Sequence, residues 1–179
     1  MLCKIRYFVN HHILRMIYFG IFSSIMTYGS LIWGQYNRIV DNLQTFQNKT
    51  LRIMNFQPFC TSATPLFKQT KILKLSDHIT LQNILYAYDC LRNNLPRSLI
   101  NEKICFLKSV RDLKGKRLNQ LEKICTKTIL YGSNSITSKS VETWNNINKQ
   151  LYHLNLQDKS KHICKASITN FLLNQYQFR

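Results

Sequence analysis

Residues 13–54 read ILRMIYFGIFSSIMTYGSLIWGQYNRIVDNLQTFQNKTLRIM, and this stretch decides the fold class. Its apolar residues recur at spacings of three and four, the period of one face of an α-helix. The spacing predicts two helices that pack against each other, the second from Ile39 to Met54. The first stripe contains Ile13, Ile17, Ile21 or Phe22, Ile25, Tyr28 and Ile32, and the second contains Ile39, Leu43, Phe46, Ile53 and Met54.

The same stretch raises the question of a membrane anchor. From Met16 to Asn37 there is no charged residue, and a run of about 20 apolar residues can cross a bilayer. Glycine, serine and threonine dilute the run, however, and its helical periodicity favours a buried helix of a folded domain. A small basic membrane-anchored protein with a helix at about 16–37 is the alternative.

Helical signals continue towards the middle of the chain. Thr64 followed by Pro65 is typical of a helix start, and this short helix is expected to end near Lys71. Ser76 or Asp77 can cap a longer helix that must stop before Pro96.

The C-terminal part shows the same period. One helix is predicted around Trp144 and another from about Ser160 to Tyr176, with Trp144, Phe171 and Tyr176 expected in the core. Between the middle and these helices, a short β-prone run is followed by a Gly-Ser-Asn turn. The predicted fold is therefore all-α, mainly helical, with room for one short β-hairpin near residues 128–137.

The charge of the chain identifies a class of partner. Lys and Arg number 25 against 8 Asp and Glu, a formal charge of +17, which favours polyanions by long-range attraction and counterion release. Eight of these bases lie in residues 101–127, a predicted basic linker. A phosphate-contacting, nucleic-acid-binding site is expected there, formed by Lys108, Arg111, Lys114, Lys116, Arg117, Lys123 and Lys127.

Sequence motifs for catalysis are missing. None of the eight carboxylates occurs in an Asp-Asp or Asp-x-Asp pair of the kind that brings two metal ions together, and there is no glycine-rich phosphate loop. The six cysteines form no C-x-x-C pair and match no zinc framework. We predict no catalytic residue, metal ligand or cofactor, and buried reduced thiols in an intracellular protein, nuclear or cytoplasmic.

Several short sequence motifs in the chain resemble those of a known family. Tyr28-Gly29-Ser30-Leu31-Ile32-Trp33-Gly34 is followed by Leu43-Gln44-Thr45-Phe46-Gln47-Asn48-Lys49, and later by Thr64-Pro65-Leu66-Phe67, Tyr131-Gly132-Ser133-Asn134-Ser135-Ile136 and Trp144-Asn145. Their order resembles the region after the polymerase palm in non-LTR (LINE-type, jockey-like) retrotransposon reverse transcriptases, over about residues 13–176. There, a Y-G-x-x-x-W-G helix precedes an L-Q-x-x-Q-N-K-x-x-R-I helix.

The resemblance implies a fragment of an RNA-directed DNA polymerase that lacks the palm and its paired aspartates. It implies a helical thumb-like unit over 1–100, the linker over 101–127 and a small helical C-terminal unit over 128–179. The expected partners are RNA or DNA, bound without sequence preference, and the missing polymerase domains of the same element, with no small-molecule substrate. No catalytic residue carries over, so the chain is not expected to be an enzyme on its own. A non-functional translated remnant is the further alternative.

Overall fold

The computed structural model describes residues 2–92, 94, 121–122, 128, 132, 134–150 and 159–176. Every secondary-structure element in these residues is helical, which confirms the predicted all-α fold. In the region considered for a β-hairpin, Ile136 and Thr137 begin a helix, and residues 129–131 and 133 lie outside the described part. The helices are α1 (Leu2–Ile5), α2 (His11–Ile17), α3 (Ser24–Thr27), α4 (Ser30–Trp33), α5 (Asn37–Met54), α6 (Thr64–Thr70), α7 (Leu75–Leu91), α8 (Ile136–Gln150) and α9 (Lys161–Gln175).

Helix ends lie close to the predicted positions. Helix α5 ends at Met54 as expected, and α6 carries Pro65 in its first turn, although Thr64 is its first helical residue and not its cap. Helix α7 ends at Leu91, before Pro96. The stop before Pro96 was predictable because proline acts within one turn of the chain. The predicted cap of α7 was wrong, because α7 begins at Leu75 and Ser76 and Asp77 therefore lie in its first turn.

The apolar stretch before α5 is several short pieces and not one helix. A π-helical turn, Tyr18–Ser23, joins α2 to α3, and Gly29 separates α3 from α4 with a positive φ of 62°. Among the described residues, no helix is long and apolar enough to cross a membrane.

The face that this stretch buries differs from the prediction. The buried apolar side chains are those of Leu14, Tyr18 and Met26, whereas Ile25 of the predicted stripe is 70% exposed and Tyr28 is 86% exposed. Both faces of the stretch are apolar, so periodicity alone could not choose between them. The wider π-helical turn also rotates the residues after it relative to those before it.

Helix α5 shows the same reversal. Met54 is buried as predicted, but Ile39 and Phe46 are exposed, and Gln47 and Thr50 face inward. The two predicted stripes do meet, but across an open groove of about 480 Å³ and not in a closed interface. Its lining includes Ile17, Ile21, Phe22, Ile25, Leu43, Phe46 and Ile53.

Packing divides the chain into two compact units, Met1–Ile79 with Thr169–Arg179, and Thr80–Ile168. The end of α9 belongs to the first unit, and the predicted division into 1–100, 101–127 and 128–179 stays a prediction. The predicted linker lies outside the described residues except for Leu121 and Glu122.

Tyr176 fastens the C-terminal end to the first unit. Its hydroxyl accepts a hydrogen bond from the Lys74 backbone N–H at 2.9 Å and donates one to the Asp77 carboxylate. Burial, with the hydrogen bond and charge of Asp77, raises the pKa of Tyr176 far above its ordinary value, so the hydroxyl remains a donor. Its ring packs among Leu14, Tyr18, Leu51, Met54, Phe67 and Ile72.

The second unit has its own buried residues. Trp144 is almost fully buried, which confirms that it is a core residue. Beside it in the chain, the Asn145 side chain accepts a hydrogen bond from the Leu121 N–H at 2.8 Å and donates one to the Leu121 carbonyl at 2.9 Å. A buried asparagine thus satisfies both backbone groups of one residue of a distant segment.

The cysteines are less uniformly buried than expected. Cys164 is buried, but Cys3 and Cys60 are exposed. The prediction of buried thiols was wrong for these two because Cys3 lies on a four-residue helix that has no buried residue and Cys60 lies in a loop.

Candidate nucleic-acid interface

The predicted nucleic-acid site lies outside the described residues. This applies to each of its members, Lys108, Arg111, Lys114, Lys116, Arg117, Lys123 and Lys127. The site therefore stays a prediction from sequence.

The second unit brings other cations together where α7 ends and α9 begins. The Lys159 carbonyl accepts a hydrogen bond from the Tyr88 hydroxyl at 2.7 Å and one from Arg92 Nη2 at 3.4 Å. The Arg92 guanidinium carbon also lies 5.0 Å from the centre of the Tyr88 ring. These contacts place two basic residues at one point, and Lys161 and Lys165 follow on the first turns of α9. We call Arg92, Lys159, Lys161 and Lys165 the α9 basic cluster.

Among the described residues, the Asp89 carboxylate lies within this cluster. Lys161 Nζ is 2.6 Å from Asp89 Oδ2, and the Asp89 side chain is mostly buried while that of Lys161 is about half exposed. The pair offsets one charge of the cluster and fixes the first turn of α9 against α7. The cluster thus retains an excess of positive charge.

The pKa of Cys164 is affected by the positive charge of the cluster. Burial raises the pKa of its thiol, while the charges of Lys159 and Arg92 act in the opposite direction. Since burial is the larger effect, the thiol stays protonated at neutral pH and is not an activated nucleophile. Cys164 therefore offers no thiolate within the cluster.

The backbone of α9 reinforces the positive charge. No acidic residue occupies the first turn of this 15-residue helix. The free N–H groups and dipole of a helix N-terminus favour anions, and phosphate is a common ligand there. Lysines at this end of a helix would repel the dipole, and a bound anion offsets that repulsion.

The Tyr-Gly-x-x-x-Trp-Gly motif, residues 28–34, has a structural role. Gly29 adopts the left-handed conformation that other residues avoid, and the Trp33 indole N–H donates to the Tyr28 carbonyl at 2.8 Å across that turn. A Cβ at Gly34 would lie 2.2 Å from the Ser30 carbonyl oxygen and 2.9 Å from Ile79 Cδ1. The motif therefore forms a tight turn that packs directly against α7.

The Leu-Gln-x-x-Gln-Asn motif, residues 43–48, also has a structural role. Gln47 Nε2 donates to the Tyr18 hydroxyl at 2.9 Å and to the Leu73 carbonyl at 3.0 Å. The Leu75 N–H, in the first turn of α7, donates to Gln47 Oε1 at 2.9 Å and to Gln44 Oε1 at 2.8 Å. The two glutamines cap α7 from inside the protein.

Several cations also have structural partners in the first unit. Arg15 donates to the Thr70 carbonyl at the end of α6, and Arg52 donates to the Thr61 carbonyl, each at 2.6 Å. These arginines satisfy helix-end and loop carbonyls that have no partner within their own element. Net charge alone therefore overstates how many bases are available to a polyanion.

Sequence reasoning missed one cationic and aromatic cluster, formed by Arg6, Tyr7 and Phe56. The Arg6 guanidinium carbon lies 4.7 Å from the Tyr7 ring centre and 5.4 Å from the Phe56 ring centre. The sequence shows a bulky residue, Phe56, directly after α5, where helices commonly end in glycine, but no spacing in the sequence links Phe56 to Arg6.

Comparison of the chain with models of protein families, with curated proteins and with solved structures found no match.

Proposed function

We propose that this chain is the post-palm, thumb-like region of a non-LTR reverse transcriptase and binds RNA or DNA through phosphates, without reading base sequence. The observation that carries the binding proposal is the α9 basic cluster, where Arg92 and Lys159 meet at the positive end of a helix. In a chain of charge +17, such a site draws on the same attraction that governs non-specific nucleic-acid binding.

The family proposal rests on the sequence motifs and on their order along the chain. Their residues have interlocking roles, because Gly34 rests on Ile79 of α7 and Gln47 caps the start of the same helix. Two motifs that are separate in the sequence thus contact the same helix in one packed unit. This gives their order and spacing a common physical basis, which supports treating them as one pattern.

The experiment that tests phosphate binding removes two charges from the α9 basic cluster. Lys159→Gln with Lys165→Gln is expected to reduce the salt slope of single-stranded RNA binding by about 1.4, at about 0.7 for each phosphate contact. Fluorescence anisotropy at several salt concentrations measures the slope, and circular dichroism checks the helical content.

A matched pair of substitutions on α8 provides the control. Lys139→Gln with Lys149→Gln removes the same charge from the same unit, but Lys139 is paired with Glu142 at 3.1 Å. This pair is expected to change the slope less than the α9 pair does. Equal slopes for the two variants would contradict a site at α9. Flotation with anionic vesicles, without oligonucleotide binding, would favour the membrane-associated alternative.

We further propose that the chain is inactive as a polymerase by itself. Two-metal phosphoryl transfer needs carboxylates that hold ions about 4 Å apart, and the sequence offers no paired acids. Purified protein is expected to incorporate no nucleotide on a primed RNA template with Mg²⁺ or Mn²⁺. Templated extension above a protein-free control would contradict this.

A further inference from the structure

Three side chains from two distant segments form a cluster on the surface of the first unit. Arg6 and Tyr7 follow α1, and Phe56 follows α5. The Tyr7 and Phe56 rings meet edge to face with centres 6.2 Å apart, and the Arg6 guanidinium lies within 5.4 Å of both ring centres. Tyr7 is 69% exposed and Phe56 is 50% exposed, so the rings contact each other while much of each remains open to solvent.

The backbone at Phe56 shows that its position is costly. Helix α5 ends with the Gln57 N–H donating to the Arg52 carbonyl at 2.9 Å and the Phe56 N–H donating to the Ile53 carbonyl at 3.3 Å. This pattern requires a left-handed residue, usually glycine, and Phe56 has a φ of 55°. A bulky residue in this conformation is an outlier that suggests a use for the side chain, because burial does not explain a half-exposed ring.

The loop that presents Phe56 is fixed at both ends. Asn55 Nδ2 donates to the Leu51 carbonyl at 2.8 Å, and Arg52 Nε donates to the Thr61 carbonyl at 2.6 Å. Two further aromatic residues on the same two segments, Phe8 and Phe59, are 88% and 69% exposed. The chain therefore presents several aromatic side chains to solvent from a braced loop and a short turn.

The surrounding charge selects the kind of ligand. In residues 1–76 the single acidic residue is Asp41, and the segments on either side of the cluster contribute Lys4, Lys49 and Arg52. Exposed rings can stack on bases, and a guanidinium beside them can contact a base face or a phosphate. An aromatic pair in a basic setting matches a ligand that carries both ring faces and negative charge, as a single-stranded nucleic acid does.

We propose that Tyr7 and Phe56, with Arg6 against both rings, form a base-stacking site for single-stranded RNA or DNA. The proposal rests on the proposed nucleic-acid function and adds a contact that recognises bases, whereas the α9 basic cluster and the linker would contact phosphates. Stacking tolerates any sequence because every base has a ring face. The site would favour single strands over duplexes, because the bases of a duplex are already stacked on one another.

The experiment compares an oligonucleotide with bases against one of equal length made of abasic nucleotides. Phe56→Gly is expected to weaken binding of a 12-nucleotide single strand about 10-fold, because one stacking contact is lost. Binding of the abasic strand and the salt slope should not change, since the phosphate contacts remain. Glycine is the usual residue at this backbone position, so the variant should fold, and circular dichroism and thermal melting check this.

Further variants separate stacking from general loss of surface. Phe56→Leu keeps an apolar side chain without a ring and should weaken binding as Phe56→Gly does, whereas Phe56→Trp should retain it. Tyr28→Ala removes another aromatic side chain, 86% exposed, and is expected to leave binding unchanged. A 2-aminopurine base in the strand should show a fluorescence change on binding that Phe56→Gly reduces.

The outcomes distinguish this site from the proposed function. If Phe56→Gly binds both strands like the unchanged chain while the Lys159 and Lys165 substitutions weaken binding, the stacking site is wrong and phosphate binding stands. If the unchanged chain binds neither strand, the nucleic-acid function fails and the stacking site fails with it. A 10-fold preference for the base-containing strand that Phe56→Gly abolishes would establish the site.

Discussion

Gln47→Ala is expected to lower the free energy of unfolding by about 3 kcal/mol, although it removes a polar side chain from a helix. Gln47 is only 5% exposed and makes hydrogen bonds with the Tyr18 hydroxyl, the Leu73 carbonyl and the Leu75 N–H. Alanine would leave these buried groups short of partners, and each group left unpaired costs about 1–3 kcal/mol. The Leu75 N–H retains Gln44 Oε1, which keeps the total near the stated value.

The matched control lies one residue earlier on the same helix. Phe46 is 57% exposed at the groove, so Phe46→Ala is expected to cost about 1 kcal/mol in spite of the larger apolar side chain that it removes. Urea unfolding followed by circular dichroism measures both variants. A larger loss for Phe46→Ala than for Gln47→Ala would show that the apolar stripe of α5, and not its glutamine face, is the buried one.

Replacing Lys114, Lys116 and Arg117 together by Gln is expected to have the largest effect on nucleic-acid binding. Each phosphate contact on a single strand adds about 0.7 to the slope of log affinity against log salt, so three lost contacts reduce the slope by about 2. With the affinity at 1 M salt unchanged, a slope reduced by about 2 corresponds to roughly 100-fold weaker binding at 0.1 M salt. The crowding of these bases around the single acid Asp112 motivates the prediction.

Two measurements make the linker prediction specific. Oligonucleotides of different sequence should be affected alike, because phosphate contacts carry no base information. Circular dichroism should show unchanged helical content. A triple variant with the same affinity and slope as the unchanged chain would mean that these residues are a solvated charge run and that binding depends on other surfaces.

The candidate sites show how far spacing along the chain could lead. Lys114, Lys116 and Arg117 stand out because they are close in sequence. The α9 basic cluster was only partly predictable, because the lysines near Ser160 are visible in the sequence, whereas Arg92 joins them through a hydrogen bond to the Lys159 carbonyl. Arg6 and Phe56 had no sequence signal that linked them. Their contact depends on where the ends of α1 and α5 lie in the folded unit.

The sequence by itself determined the helical fold class, most helix ends and the excess of positive charge. These properties are local or additive, since proline and helical periodicity act within a few residues and charge is a simple sum. Only the tertiary structure decided which face each helix buries. Residues 13–33 are apolar on more than one side, so Leu14 and Tyr18 became core while Ile25 stayed exposed because of the neighbours that packing supplied. The same holds for Gln47, which spacing would place at the surface. It is buried because unpaired backbone groups around the start of α7 need hydrogen-bond partners, and only the folded chain brings Gln47 to them.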